Sequence, residues 1–307
     1  MESTALPRAP TLTLRLQLAL IGLLLLGAAL AWALTDGRMQ GMDAGPGTDL
    51  GGLGWFVGIW VVMMAAMMFP SIAPMVLMYE RIQEGKRERG QPTPVGATAI
   101  FVSGYLVAWA AAGLLGYGIF EAGRSLDLAF LAWDGGGRYV ATGVIVAAAV
   151  YQLTPLKDVC LRKCRSPFMF LLGAWKPERS GALRMGIEHG AWCVGCCWAL
   201  MAALFALGVM SIGWMALIAA FIAVEKLLPW KAVANRTVTV GLLVLAIAVL
   251  AAPEDVPGLT IPGSPEAMEA MEAMGMEPEG GGSGTMQQME GEAGGSGAMG
   301  EGMQDAP

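Results

Sequence analysis

Charge is scarce in this chain. Only 14% of its 307 residues are charged, against about 25% in ordinary soluble proteins, and 55% are hydrophobic. A water-soluble globule of this size is excluded; a membrane body is expected. Histidine occurs once, so bis-histidine haem ligation within one chain is excluded, and any Ser–His–Asp triad would have to use His189. No GxxxxGK[ST] loop is present to cradle a nucleotide, and no aspartyl-phosphate motif stands in its place. Nucleotide-driven pumping and nucleic-acid binding are therefore not expected. Lysine and arginine stop at Arg236. Residues 252–307 hold 11 acidic groups, which leaves the rest of the chain with 19 basic against 14 acidic, a weakly basic body joined to an acidic tail.

What is present is mostly apolar runs. Stretches long enough to cross about 30 Å of hydrocarbon as helices fall at 16–34, 53–78, 97–120, 138–155, 187–209, 212–229 and 237–252. The fourth and seventh are short. The expected fold class is an all-α polytopic membrane protein, a bundle of about seven transmembrane helices with six as the alternative. Residues 1–252 form that domain, and 253–307 form a disordered acidic tail rich in Met and Gly. Its composition has no periodic apolar face to bury.

Loop charge orients the spans, because short loops rich in Lys and Arg stay cytoplasmic. Residues 79–96, 156–186 and the junction around Lys226, Lys231 and Arg236 carry the positive charge. All three fall on one side of a seven-span arrangement with the N-terminus inside. The sequence thus predicts a bacterial cytoplasmic (inner) membrane protein, multi-pass, with a cytoplasmic N-terminus and a periplasmic tail. The first run ends near Ala31-Trp32-Ala33, a loose cleavage signature, but its length favours a retained anchor.

All five cysteines and the histidine lie within 160–197. Cys160 and Cys164 are one helical turn apart. His189, Cys193, Cys196 and Cys197 share a stripe about 100° wide on a helix. His189 and Cys197 are about 12 Å apart along such a helix. Metal–sulfur bonds of about 2.3 Å therefore select a subset of these ligands. Thiolates suit Cu(I), Zn and iron–sulfur centres.

A second pattern lies in MMAAMMFPSIAPMVLM, residues 63–78. Met64, Met67, Met68, Met75 and Met78 fall on one helical face with Ser71, while Met63 falls outside it. Neutral thioethers suit Cu(I) or Ag(I) and are poor ligands for Zn or Mg. Pro70 and Pro74 are expected to kink this helix. The alternative is packing, since Met fills irregular gaps. Met39 and Met42, and eight methionines of the tail, repeat the theme among carboxylates.

Three blocks, MMAAMMFPS (63–71), YQLTPLKDVCLRKCRSP (151–167) and HGAWCVGCCWALM (189–201), with VEKLLP (224–229) after them, resemble a bacterial family of predicted metal-binding integral membrane proteins, some labelled copper chaperones. The resemblance covers about 55–250. It implies that Met63, Met64, Met67, Met68, Cys160, Cys164, His189, Cys193, Cys196, Cys197 and Glu225 are characteristic positions. Glu225 either serves a cation site or pairs with Lys226 at the interface.

The sequence therefore predicts a metal-binding rather than catalytic protein. It is expected to take Cu(I), with zinc as the alternative ion, in transport or in delivery to a partner cuproenzyme or from a periplasmic copper carrier. The expected metal set is Cys160, Cys164, His189, Cys193, Cys196, Cys197, Met64, Met67, Met68, Met75 and Glu225. Two other readings compete: a membrane thiol oxidoreductase using cysteine pairs, and a structural zinc site in a membrane scaffold. Both leave the methionine face idle.

Overall fold

The computed structural model describes residues 14–39, 41–43, 45–46, 49–126, 133–174 and 178–273. Its regular elements are all helical. Helix α1 is Leu14–Met39, α2 Leu53–Glu88, α3 Ala97–Ser125, α4 Arg138–Tyr151, α5 Pro155–Arg165, α6 Pro167–Ala174, α7 Arg179–Leu207, α8 Ile212–Leu227, α9 Lys231–Ala251 and α10 Pro265–Ala273. A π turn, Trp133–Gly137, leads into α4, and a 3-10 turn, Pro253–Asp255, follows α9.

Five of these helices, α1, α2, α3, α7 and α9, are long and apolar enough to cross a membrane. A sixth span arises if α4 and α5, bent by 67° at their junction, count together. Among the described residues the expected seven spans are not reached, while the alternative of six is met if the bent pair counts as one span. The sequence marked 237–252 as short, yet α9 begins six residues earlier at Lys231 and qualifies. The run at 212–229 instead becomes α8, 16 residues long, or about 24 Å at 1.5 Å per residue. It stops because Leu228 precedes Pro229 and adopts an extended conformation, as the residue before proline does.

The bend between α4 and α5 also has a local cause. Thr154 sits in extended backbone and its hydroxyl accepts from the Lys157 N–H, with Pro155 in the first turn. A hydroxyl cap followed by proline starts a new helix, so the apolar run 138–155 breaks rather than continuing. Part of the basic segment 156–186 is thus helical, as is 79–88 of the segment 79–96, which extends α2. Pro70 and Pro74 lie inside α2 without ending it.

Helix α7 is central and packs against α3, α4, α5 and α8; α1 lies on α2, and α9 on α4. The α3–α7 seam is close because it is lined by glycine. A Cβ on Gly186 would collide with the Phe101 carbonyl, one on Gly104 with the Leu183 carbonyl, and one on Gly190 with the Ala108 side chain. Small residues give membrane helices the van der Waals contact that lipid does not supply. In contrast, α1 turns Leu18, Leu23, Leu26, Leu30 and Leu34 outward, toward acyl chains in a bilayer.

At the α2 N-terminal end, Asp43 joins three segments. Its carboxylate accepts from the Gly45 N–H at 3.1 Å and the Thr260 hydroxyl at 3.4 Å, and hydrogen-bonds Ser211. Burial pushes this carboxyl above the usual range. Residues 253–273, the start of the expected disordered tail, therefore have defined structure here; 274–307, with six of its methionines, lie outside the described residues.

Candidate metal centre

Cys193 stands midway along α7, about 21 Å from either end at 1.5 Å per residue. The apolar run 187–209 places Cys193 only six residues from its start. Helix α7 starts at Arg179, and the extra turns move the cysteines to mid-helix. Cys193, Cys196 and Cys197 are each no more than 1% exposed.

Helix α5 supplies the other thiols. Its outer face carries Arg162 and Lys163, both exposed, and its inner face brings Cys160 and Cys164 onto α7. Gly195 permits this approach: a Cβ there would lie 3.0 Å from the Cys160 sulfur. The Sγ atoms of Cys164, Cys193 and Cys196 then all fall within 4.8 Å of one another. Trigonal coordination with bonds of about 2.3 Å needs sulfur–sulfur edges of about 4 Å, so the trio is already close to a ligand geometry.

Two polar groups converge on Cys193. The Lys226 ammonium is 2.8 Å from its sulfur and the Tyr105 hydroxyl 3.0 Å. A cation and a hydroxyl at this range suit a thiolate. The Lys226 ammonium also donates to the Ser71 hydroxyl at 3.4 Å, and that hydroxyl is 4.0 Å from the Met68 sulfur. Met68 thus reaches Cys193 through two polar side chains. Met64, Met67, Met68 and Met75 are all buried, and so is Met63, which the helical projection had left outside the stripe; Met78 is half-buried.

Two expected ligands stand elsewhere. His189 lies one turn before Cys193, 2% exposed, with its ring 6.0, 5.8 and 5.3 Å from those of Phe101, Tyr105 and Phe170. It is not within the close thiol set, and its Nδ1 is buried without a hydrogen-bond partner. Glu225 pairs with Lys157 at 2.7 Å, with both side chains buried. It does not pair with Lys226, because consecutive residues on a helix face apart. The ion pair is extended by Gln152, which accepts from Lys157, and by Arg165, which donates to the carbonyls of Glu225 and Leu228. This network fastens α5 to the end of α8.

The functional residues that sequence reasoning missed are Lys226, Tyr105 and Lys157. Lys226 was read as loop charge at a helix end, yet it is 9% exposed and points inward. The one available signal was the adjacent Glu225-Lys226 pair, which cannot be satisfied by itself.

The fold and site define a helical membrane protein with a buried thiol cluster suited to a soft metal. Residues 57–249 match the family described as PpoB2 copper chaperone, and the chain belongs to that family. No curated protein and no solved structure matches it.

Proposed function

We propose that this protein loads Cu(I) onto Cys164, Cys193 and Cys196 by way of the α2 thioethers, and holds it for transport or for delivery to a partner cuproenzyme. The observation that carries this reading is the bridge from Met68 through Ser71 and Lys226 to Cys193. Neutral thioethers bind Cu(I) weakly enough to release it, and thiolates bind it tightly. The order from sulfur ether to thiolate gives the ion a direction. Basic charge in the segments 79–96 and 156–186 supports a cytoplasmic N-terminus in a bacterial inner membrane, with the outward methionines receiving Cu(I) from a periplasmic carrier.

Lys226 favours Cu(I) over zinc. Three thiolates around Cu(I) leave two net negative charges, and around Zn(II) one. A fixed ammonium in contact with the centre therefore stabilises the copper form about twice as strongly, since the attraction scales with charge. Lys226→Met is expected to weaken Cu(I) binding by about 10–100-fold, as outer-shell changes do, and to weaken Zn(II) binding less. Equal losses for the two ions would remove Lys226 from selectivity.

The thioether route is tested with Met64→Leu/Met68→Leu, since Leu for Met conserves core volume. In sealed vesicles the double variant is expected to slow Cu(I) uptake while leaving equilibrium thiolate affinity unchanged. Unchanged uptake would contradict the route.

A further inference from the structure

The trio above leaves two of the five thiols without a role. Cys197 lies beyond Cys196, with 3.4 Å between their sulfurs. Cys160 approaches the same turn of α7 from the other helix, against Gly195. The Tyr151 hydroxyl donates to the Gly195 carbonyl at 2.6 Å and so fixes the same turn. Cys196 therefore has thiols on two sides: Cys164 and Cys193 within 4.8 Å, and Cys197 at 3.4 Å.

We propose that the centre holds two soft monovalent ions, with the Cys196 thiolate bridging them. The first is the ion bound by Cys164, Cys193 and Cys196, so this inference rests on the function proposed above. The second is bound by Cys196 and Cys197, with Cys160, held against Gly195, left as a neutral thiol beside it. A thiolate sulfur has lone pairs enough for two metals, and soft sulfur with Cu(I) favours such sharing. The 3.4 Å separation is shorter than the about 4 Å edge of a trigonal site, and a small rotation of the Cys197 side chain opens it. Charge permits the second ion as well. One more Cu(I) arriving with one more thiolate, Cys197, leaves the net charge of the centre unchanged, so Lys226 balances one ion or two alike. Each thiol that binds loses its proton to solvent, and no electron is transferred.

The test uses the full chain, purified anaerobically in detergent and titrated with Cu(I) against a chelator strong enough to outcompete thioethers. Two ions per chain are expected, with a short copper–copper path in X-ray absorption. Cys197→Ser should lower the count to one and abolish that path, while leaving the first affinity within about threefold, a difference below the 1.4 kcal/mol of a tenfold change. Should the variant not fold, the wild-type spectrum at excess Cu(I) decides alone: absence of the copper–copper path overturns the proposal. One tightly held ion would overturn the second site and leave the proposed function standing. Failure to bind any Cu(I) would overturn both.

Discussion

Replacing Cys193 with serine is expected to lower Cu(I) affinity by more than the about 100-fold that outer-shell changes cost. Cys193 is where the contacts of the centre meet. It lies within 4.8 Å of both other thiols of the trio and takes the Lys226 ammonium and the Tyr105 hydroxyl besides. A serine oxygen is a hard ligand and does not replace thiolate for Cu(I). The substitution keeps nearly the same shape, so helical content by circular dichroism should match the parent chain. The comparison that gives this meaning is Cys160→Ser, outside the trio, where the first Cu(I) should bind within about tenfold of wild type. A Cys193→Ser chain that still bound Cu(I) within tenfold of wild type would place the ion elsewhere.

The second large effect concerns stability. Lys157→Met leaves the Glu225 carboxylate buried without its counter-ion, a change expected to destabilise the fold by about 3–5 kcal/mol. Replacing both partners, Lys157→Met/Glu225→Leu, should recover most of that loss, because an apolar pair avoids the desolvation of two charges. Thermal melts in detergent measure both. The single variant should also bind Cu(I) more weakly: Lys157 and Arg165 fasten to α8 the helix that carries Cys164. A single variant as stable as the double would show that the ion pair does not hold α5 in place.

Much of this was legible in the chain because it is local. Apolar run length predicts helices, and i, i+4 spacing predicts that cysteines share a face and that methionines line α2. The Thr154-Pro155 cap breaks the run at 138–155 with a 67° bend that a hydropathy window reads through. Helix α8 fell short for a comparable reason, since Pro229 cuts a run whose composition alone looked sufficient. What the sequence could not supply is the partnership of distant side chains. Glu225 and Lys157 are 68 residues apart, and Lys226 and Ser71 are 155 apart. Their pairing depends on how α2, α5 and α8 pack. The same packing separates His189 from the thiols it neighbours in sequence, because the aromatic rings of α3 and α6 enclose it.

The central claim is that the thiol trio binds Cu(I) as its own ion. The most direct measurement is metal content and sulfur coordination of the anaerobically purified chain, loaded with Cu(I) in the presence of zinc and compared with Cys164→Ser/Cys193→Ser/Cys196→Ser. Copper bound by sulfur alone at about 2.3 Å, lost in the triple variant, is the predicted result. Stoichiometric zinc that Cu(I) does not displace, or copper retained by the triple variant, would contradict it.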